Sequence, residues 1–248
     1  QFFQIGENWI DKEQYAFQLG DAILFLCFLI FVLYLFVFAI YSKRKPQYNY
    51  PTAKKKYRFA VLFPAYQEDE VIIDSVKNFL VQEYPRERYD IIVISNQMRQ
   101  DTIDNLKALS AKVVKMDSPQ STKIEALKEA IHYIEKGDIK YDNVVILDAD
   151  NIVKPSYLEK INDALYAGCS ALQTHRVAKN RDSNIAVLDS VSEEINNSIF
   201  RKGHTRLGFS SALSGSGMAF EYELFKDIIQ ECHDIGEDKY MERKLLLQ

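Results

Sequence analysis

From Tyr57 onward, short apolar runs alternate with longer stretches whose apolar positions recur every three or four residues. Runs of β-branched and aromatic residues read as strands, and the longer repeats as amphipathic helices. The pattern predicts strands over 59–63, 91–94, 112–116, 144–147 and 170–173. Helices are predicted over 70–82, 102–109, 123–135, 155–166, 184–200 and 223–232, with an amphipathic stretch from Met241 to Leu247. In the first helix Val71, Ile72, Ser75, Val76, Phe79 and Leu80 form one stripe. Strand and helix in alternation make βαβ units, whose right-handed crossovers give an α/β fold with a mostly parallel sheet covered by helices.

The start of the chain follows another pattern. Ala22 to Tyr41 is a run of 20 residues without a formal charge. As a helix it would reach roughly 30 Å, the thickness of bilayer hydrocarbon. It has no polar face, so a soluble core helix is a poor fit. It also lacks the basic start and small-residue cleavage site of a signal peptide. Glu7, Asp11, Lys12, Glu13 and Asp21 precede the run; Lys43, Arg44 and Lys45 follow it, then Lys54, Lys55, Lys56 and Arg58. The positive-inside rule makes residues 1–21 extracytoplasmic, 22–41 a single transmembrane helix and everything beyond cytoplasmic. Residues 42–56 read as a basic juxtamembrane linker, extended around Pro46, Tyr48, Tyr50 and Pro51. Its cations serve as a topology signal, as contacts to anionic membrane lipids, or as both.

Composition narrows the classes. A length of 248 residues suits one α/β domain with an appendage. With 27% charged residues and a net charge of -4, the chain lacks the basic field of a nucleic-acid binder. Cys27, Cys169 and Cys232 have no CxxC spacing, which argues for free thiols rather than zinc or disulfides. His132, His175, His204 and His233 show no HxxH or HExxH spacing, and neither a GxSxG elbow nor a Walker loop occurs.

Several stretches could carry chemistry. Val144 to Leu147 runs straight into Asp148-Ala149-Asp150. Ligands of open α/β sheets bind beyond the carboxyl ends of the strands, and hard carboxylate oxygens suit magnesium or manganese. Capping of the next helix by Asp150 and Asn151 is an equal reading. The first strand leads into Pro64-Ala65-Tyr66-Gln67-Glu68-Asp69-Glu70, whose acids either favour a helix N-terminus or border a site. Lys123 opens a helix after a turn-like Asp117 to Gln120. A cation there opposes the helix dipole, so it is a solvated lysine or the partner of a bound diphosphate. Leu213 to Phe220 holds Gly215-Ser216-Gly217, either a plain turn or a close approach to a ligand. Gly236-Glu237-Asp238 precedes the last helix, where capping is again sufficient.

Taken in order, PAYQEDE, Lys123, Asp148-Ala149-Asp150, GSGMAF and Glu237-Asp238 resemble the family 2 glycosyltransferases of GT-A fold. The likeness runs from Tyr57 to the end. An anchor ahead of a cytoplasmic catalytic domain, residues 57–248, resembles the polysaccharide-synthase members. The resemblance implies that Pro64, Ala65, Tyr66 and Glu68 border the nucleotide base and ribose, with Lys123 close by. Asp148 and Asp150 match the DxD pair, Asp150 favoured as the direct ligand of Mg2+ or Mn2+ and Asp148 facing ribose or metal. Gly215, Ser216, Gly217 and Met218 would line the donor sugar and acceptor. Asp238 would be the general base, with Glu237 its neighbour. Two departures stand out. Ser95-Asn96-Gln97 puts Asn96 where many members carry a base-contacting aspartate, and no QxxRW follows the acidic pair, which reads as a truncated C-terminal end.

The implied reaction is an inverting, metal-dependent transfer from a nucleoside diphosphate sugar, a UDP-sugar foremost, to a hydroxyl of a glycan, polysaccharide or lipid-linked acceptor. Proton abstraction favours a base tuned by burial or by a neighbouring carboxylate. A sugar nucleotidyltransferase would show a glycine-rich loop after the first strand, which PAYQEDE is not. An inactive membrane-tethered scaffold would have no need of Asp148, Asp150 and Asp238.

Overall fold

The computed structural model describes residues 2–43, 50–116, 122–180, 182–232 and 236–247, with side chains from residue 14 onward. The turn expected at Asp117 to Gln120, residues 44–49 of the basic linker and His233 lie outside the described residues. The chain divides into two compact units, residues 1–47 with 195–210, and residues 48–194 with 211–248.

The second unit holds a six-stranded sheet in the order β3-β2-β1-β4-β6-β5. β1 (Phe59–Tyr66), β2 (Tyr89–Asn96), β3 (Lys112–Met116) and β4 (Asn143–Ile146) are parallel. β6 (Met218–Glu221) runs antiparallel to both β4 and β5 (Ala171–Gln173). The helices between them are α2 (Ile72–Phe79), α3 (Gln100–Ala108), α4 (Lys123–Lys136), α5 (Tyr157–Tyr166), α6 (Asn184–Ile195), whose last residue belongs to the first unit, and α8 (Tyr222–Glu231) and α9 (Glu237–Leu246) after it. This is the α/β, mostly parallel architecture expected from the pattern.

Strand alternation sorts the core into two layers. Ala60, Leu62, Val144, Ile146 and Phe220 pack with Leu127, Ile131 and Phe225 of the helices on one face. Phe59, Val61, Phe63, Val145 and Ala219 pack with Ile72, Phe79, Leu106 and Leu158 on the other. Each such buried Val, Leu, Ile or Phe side chain contributes roughly 1.5–3 kcal/mol.

Two differences from the expected elements have physical reasons. β6 was not expected as a strand, because four residues behind two glycines are too few to display a period; its sheet partners bury the first three of them. β1 extends past Phe63 through Pro64, although proline lacks an N–H. Leu62 O accepts from Leu147 N at 3.0 Å on the β4 side, so Pro64, two residues on, faces that same side, where the β4 ladder has already ended. The sheet therefore opens beside Pro64.

Residues 53–58 are strapped to α5 and its neighbours. The fully buried Asn162 accepts from Tyr57 N at 2.9 Å and from the Tyr84 hydroxyl at 2.8 Å, and its amide donates to Lys55 O at 2.9 Å. Ala53 N donates to Asp163 Oδ1 at 2.8 Å. Lys55, Lys56 and Arg58 pair with Asp142, Glu159 and Asp90 respectively, so these three cations of the basic stretch are engaged within the domain.

In the first unit α1 runs over Phe2–Ser42, further toward the N-terminus than the expected 22–41. Its part from Gln14 to Ser42 is long and apolar enough to cross a membrane. The unit's other piece continues as a π-helix over Asn196–Gly203 and a short α7 (His204–Arg206), where the periodicity predicted one helix to residue 200.

Candidate functional site

Beyond the carboxyl ends of β1, β2 and β4 lies a cleft lined by Pro64, Ala65, Tyr66, Glu68, Asn96, Lys123 and Asp148, together with Ile94, Thr122, Ala126 and Ala149. All seven residues assigned to the nucleotide by resemblance thus share one cavity. β1 and β2 end in step, Tyr66 beside Asn96, and both strands then turn through a left-handed residue, Gln67 at φ 55° and Gln97 at φ 53°. Gln67 N donates to Asn96 O at 3.1 Å, and the Gln67 amide donates to Gln97 Oε1 at 2.7 Å. Non-glycine residues seldom adopt this conformation, so two of them at the mouth of a cleft mark strain held by its surroundings. The Tyr66 ring is about half exposed and Asn96 is buried.

Lys123 is the hub. Thr122 caps α4 with a capping box, its hydroxyl accepting from Glu125 N at 3.3 Å while Glu125 Oε2 accepts from Thr122 N at 2.8 Å. This fixes Lys123 as the first residue of α4. Its ammonium donates to Asp148 Oδ1 and to Gly215 O, each at 2.6 Å, and lies 3.6 Å from Glu237 Oε1. A cation at a helix N-terminus opposes the dipole, and here two carboxylates and a carbonyl offset that cost. One side chain joins three motifs far apart in sequence.

The loop before β6 is fastened from the other side. Ser216 Oγ accepts from Asp148 N at 2.9 Å and donates to Asn151 Oδ1. Asn151 Oδ1 also accepts from Asp148 N at 3.3 Å, and its amide donates to Asp150 Oδ1 at 3.1 Å. Gln173 donates to Ser216 O at 2.8 Å and accepts from Ser214 N at 2.9 Å, while Arg176 donates to Ser214 O at 2.9 Å. Gly215 and Gly217 have φ of 63° and 67°. A Cβ at Gly217 would stand 2.5 Å from Thr174 Oγ1, so only glycine fits there.

Other site residues of the sequence reading fall outside this cluster. Asp150 is exposed beside the cleft and is not part of its lining. Met218 opens β6 and is fully buried in the core rather than lying on the loop. Glu237 reaches Lys123, whereas the half-buried Asp238 accepts from Lys239 N at 2.8 Å. Sequence reasoning passed over Thr122, whose T-x-x-E signature was legible, and Asn151 as a tie between motifs. It also missed Gln173, Thr174 and Arg176, whose roles depend on β5 meeting β6.

Asp148 and Asp150 supply hard carboxylate oxygens one residue apart at a strand end. Among the described residues no three His, Cys, Asp or Glu side chains gather into a cage. Two carboxylates are the donor type that magnesium and manganese take from a protein, completing their shell with water and substrate phosphate.

The fold is an open, mostly parallel α/β sheet with a cleft at its strand ends, and comparison makes the class specific. Residues 57–248 match the model of the glycosyltransferase like family 2. The chain resembles the mannosyltransferase PcManGT from Pyrobaculum calidifontis, solved with GDP-Man and Mn2+, at a TM-score of 0.61 and 18% identity, over 86% of this chain and 59% of that one. It also resembles S. aureus TarS solved with UDP-GlcNAc, at a TM-score of 0.54 and 14% identity, over 74% of this chain and 52% of that one. The chain thus spans between half and three fifths of the length of these two structures. No match was found among curated proteins. The chain belongs to the family 2 glycosyltransferases and has the GT-A fold.

Proposed function

We propose that this chain is a membrane-anchored, inverting glycosyltransferase that moves a sugar from a nucleoside diphosphate sugar to an acceptor hydroxyl. The observation that carries it is the Lys123 ammonium, held by Asp148, Gly215 O and Glu237 at the edge of the cleft. Family membership supports the reaction class, and the nucleotide sugars bound to the two related structures support the donor class.

In this reading Pro64, Ala65, Tyr66 and Glu68 border the base and ribose, with the Asn96 amide offering a donor and an acceptor where many members have a carboxylate. Lys123 sets its charge against the diphosphate. Asp150, with Asp148, would hold Mg2+ or Mn2+, which when bound offsets the charge building on the leaving diphosphate, an effect of several kcal/mol. The Gly215 to Gly217 backbone lies against the donor sugar and acceptor. Asp238 takes the acceptor proton as the new C–O bond forms on the face opposite the departing diphosphate, a base contribution of roughly a hundred- to ten-thousand-fold. Glu237 holds Lys123 in place.

Residues 1–21 lie outside, 22–41 span the membrane, the basic linker follows, and the catalytic domain is cytoplasmic, where nucleotide sugars and an acceptor glycan or membrane lipid meet. A panel of nucleotide sugars, UDP-sugars first, assayed for release of nucleoside diphosphate with and without Mn2+ tests the proposal. Release only with one donor class and only with the cation supports it; no metal-dependent release from any donor, despite nucleotide binding, counts against it.

A further inference from the structure

The motifs above leave residues 195–210 without a role, and the fold places them beside α1 rather than in the sheet domain. Their sequence, INNSIFRKGHTRLGFS, carries Arg201, Lys202 and Arg206 and no acid. It is held against the last turns of α1 by contacts of three kinds. Aromatic ones come first: the Phe38 and His204 rings are 4.3 Å apart, Phe38 and Phe209 6.0 Å, and the Tyr34 hydroxyl is 2.6 Å from His204 Nε2. Close packing follows at Gly203, where a Cβ would stand 2.6 Å from Phe38 O, so the two backbones touch through a residue without a side chain. The third is polar. Arg206 donates to Tyr41 O at 2.9 Å and to Ser42 O, capping the α1 C-terminus, and Ser198 donates to Ser42 Oγ at 2.9 Å.

The depth of this element follows from α1. Gln14 to Ser42 is 29 residues. As a helix it reaches roughly 43 Å, the full bilayer with its headgroups rather than the hydrocarbon alone. Tyr34 to Ser42 then covers about the last 12 Å, from within the final stretch of hydrocarbon up to the headgroups. Whatever packs on those turns shares their depth. Aromatic residues mixed with cations and free of acids are what that layer favours, particularly where the lipid is anionic. Ile195 and Phe209 are about half exposed or more; of the three cations Lys202 is exposed, whereas Arg201 is buried and donates to Asn197 Oδ1 and Arg206 caps α1.

We propose that residues 195–210 form a second membrane contact, an interfacial element seated at the boundary between phospholipid hydrocarbon and headgroups and clamped to the end of the anchor. The chain then passes between membrane and catalytic domain three times, at residues 47–48, 194–195 and 210–211. The two units are then joined by three chain segments rather than one.

The inference rests on the reading of α1 as a membrane span, and the test separates the two. The chain has one tryptophan, Trp9, which is replaced by phenylalanine. Single tryptophans are then placed by Phe28→Trp, Phe209→Trp and Ile195→Trp in the full chain, reconstituted in vesicles of phosphatidylcholine and phosphatidylserine brominated at shallow or deep acyl positions. The expected result is loss of Phe209→Trp and Ile195→Trp emission mainly with shallow bromines, and of Phe28→Trp emission mainly with deep ones. Two probes in the segment guard against one variant failing to fold. Quenching of both by aqueous iodide and by neither brominated lipid, with Phe28→Trp still quenched, overturns the interfacial element and leaves the anchor. Preferential quenching of both by deep bromines overturns it as well, by burying the segment in hydrocarbon. If Phe28→Trp also answers only to iodide, the anchor reading itself fails and takes the interfacial element with it.

Discussion

The Lys123 ammonium lies 2.6 Å from Asp148 Oδ1, joining the first turn of α4 to the acidic pair at the end of β4. The pair is only partly exposed, so under the proposed function a diphosphate entering the cleft would meet a cation already held in place. A hydrogen bond to a charged group contributes about 1.5–3 kcal/mol. Lys123→Met is therefore expected to weaken nucleoside diphosphate binding roughly ten- to hundred-fold by calorimetric titration, with Lys123→Arg recovering part of the loss. Equal affinity in Lys123→Met and the parent would remove Lys123 from the nucleotide site.

The two glycines of the loop should respond differently to alanine. Both have positive φ, which costs an alanine about 1–2 kcal/mol. At Gly215 the new Cβ would meet Glu237 Oε1 at 3.6 Å, an ordinary contact, whereas at Gly217 it would stand 2.5 Å from Thr174 Oγ1. Gly217→Ala should thus lower the melting temperature clearly more than Gly215→Ala, and Thr174→Ala should relieve part of the excess.

Asn162 offers a test of the strap. It serves Tyr57 N, the Tyr84 hydroxyl and Lys55 O from a fully buried position. Asn162→Ala leaves those groups short of partners, at about 1–3 kcal/mol for each that stays buried and unpaired. The expected outcome is lower stability together with faster tryptic cleavage after Lys54, Lys55 or Lys56. Unchanged cleavage would show that the strap is held elsewhere.

Acid should loosen the far end of the sheet. Burial alone would raise the Asp90 carboxyl, but the Tyr141 hydroxyl at 2.8 Å, the Lys112 charge and Arg58 outweigh it and hold it below its ordinary value. Because the folded value is depressed, the stabilisation is present above the unfolded value of about 3.9 and disappears as pH falls through the folded one. Urea unfolding between neutral pH and pH 3 should show a loss below about pH 4 that Asp90→Asn lacks, the variant being less stable at neutral pH.

Much of this was legible in the sequence for definite reasons. β1, β2 and β4 are fully or largely buried strands, and buried parallel strands read as apolar runs, so their existence and order could be seen directly, while the partly exposed β3 showed as a short Val-Val core between lysines. β6 could not, because its identity comes from pairing with β4 and β5 across long sequence separations. The site divides in the same way. Pro64 to Tyr66 close β1, Asn96 closes β2 and Asp148 follows β4, and their expected roles came from the family resemblance rather than from the strands themselves. The meeting of Lys123 with Glu237 depends on α4 and α9 coming together, which no local spacing encodes. Gln173 and Arg176 stayed silent because a side chain that braces a loop has no pattern of its own. The π-helical turn at Asn196–Gly203 belongs with these, since its contacts lie on α1 more than 150 positions earlier.

The central claim is that Asp150 belongs to cation and nucleotide while Asp238 belongs to the acceptor proton, and one paired measurement reaches it most directly. Asp150→Ala and Asp238→Ala are assayed for sugar transfer and, on the same preparations, for manganese-dependent binding of nucleoside diphosphate. Both variants should lose transfer, and only Asp150→Ala should lose the manganese-dependent part of binding. Normal turnover in Asp238→Ala, or manganese-dependent binding intact in Asp150→Ala, would contradict that division.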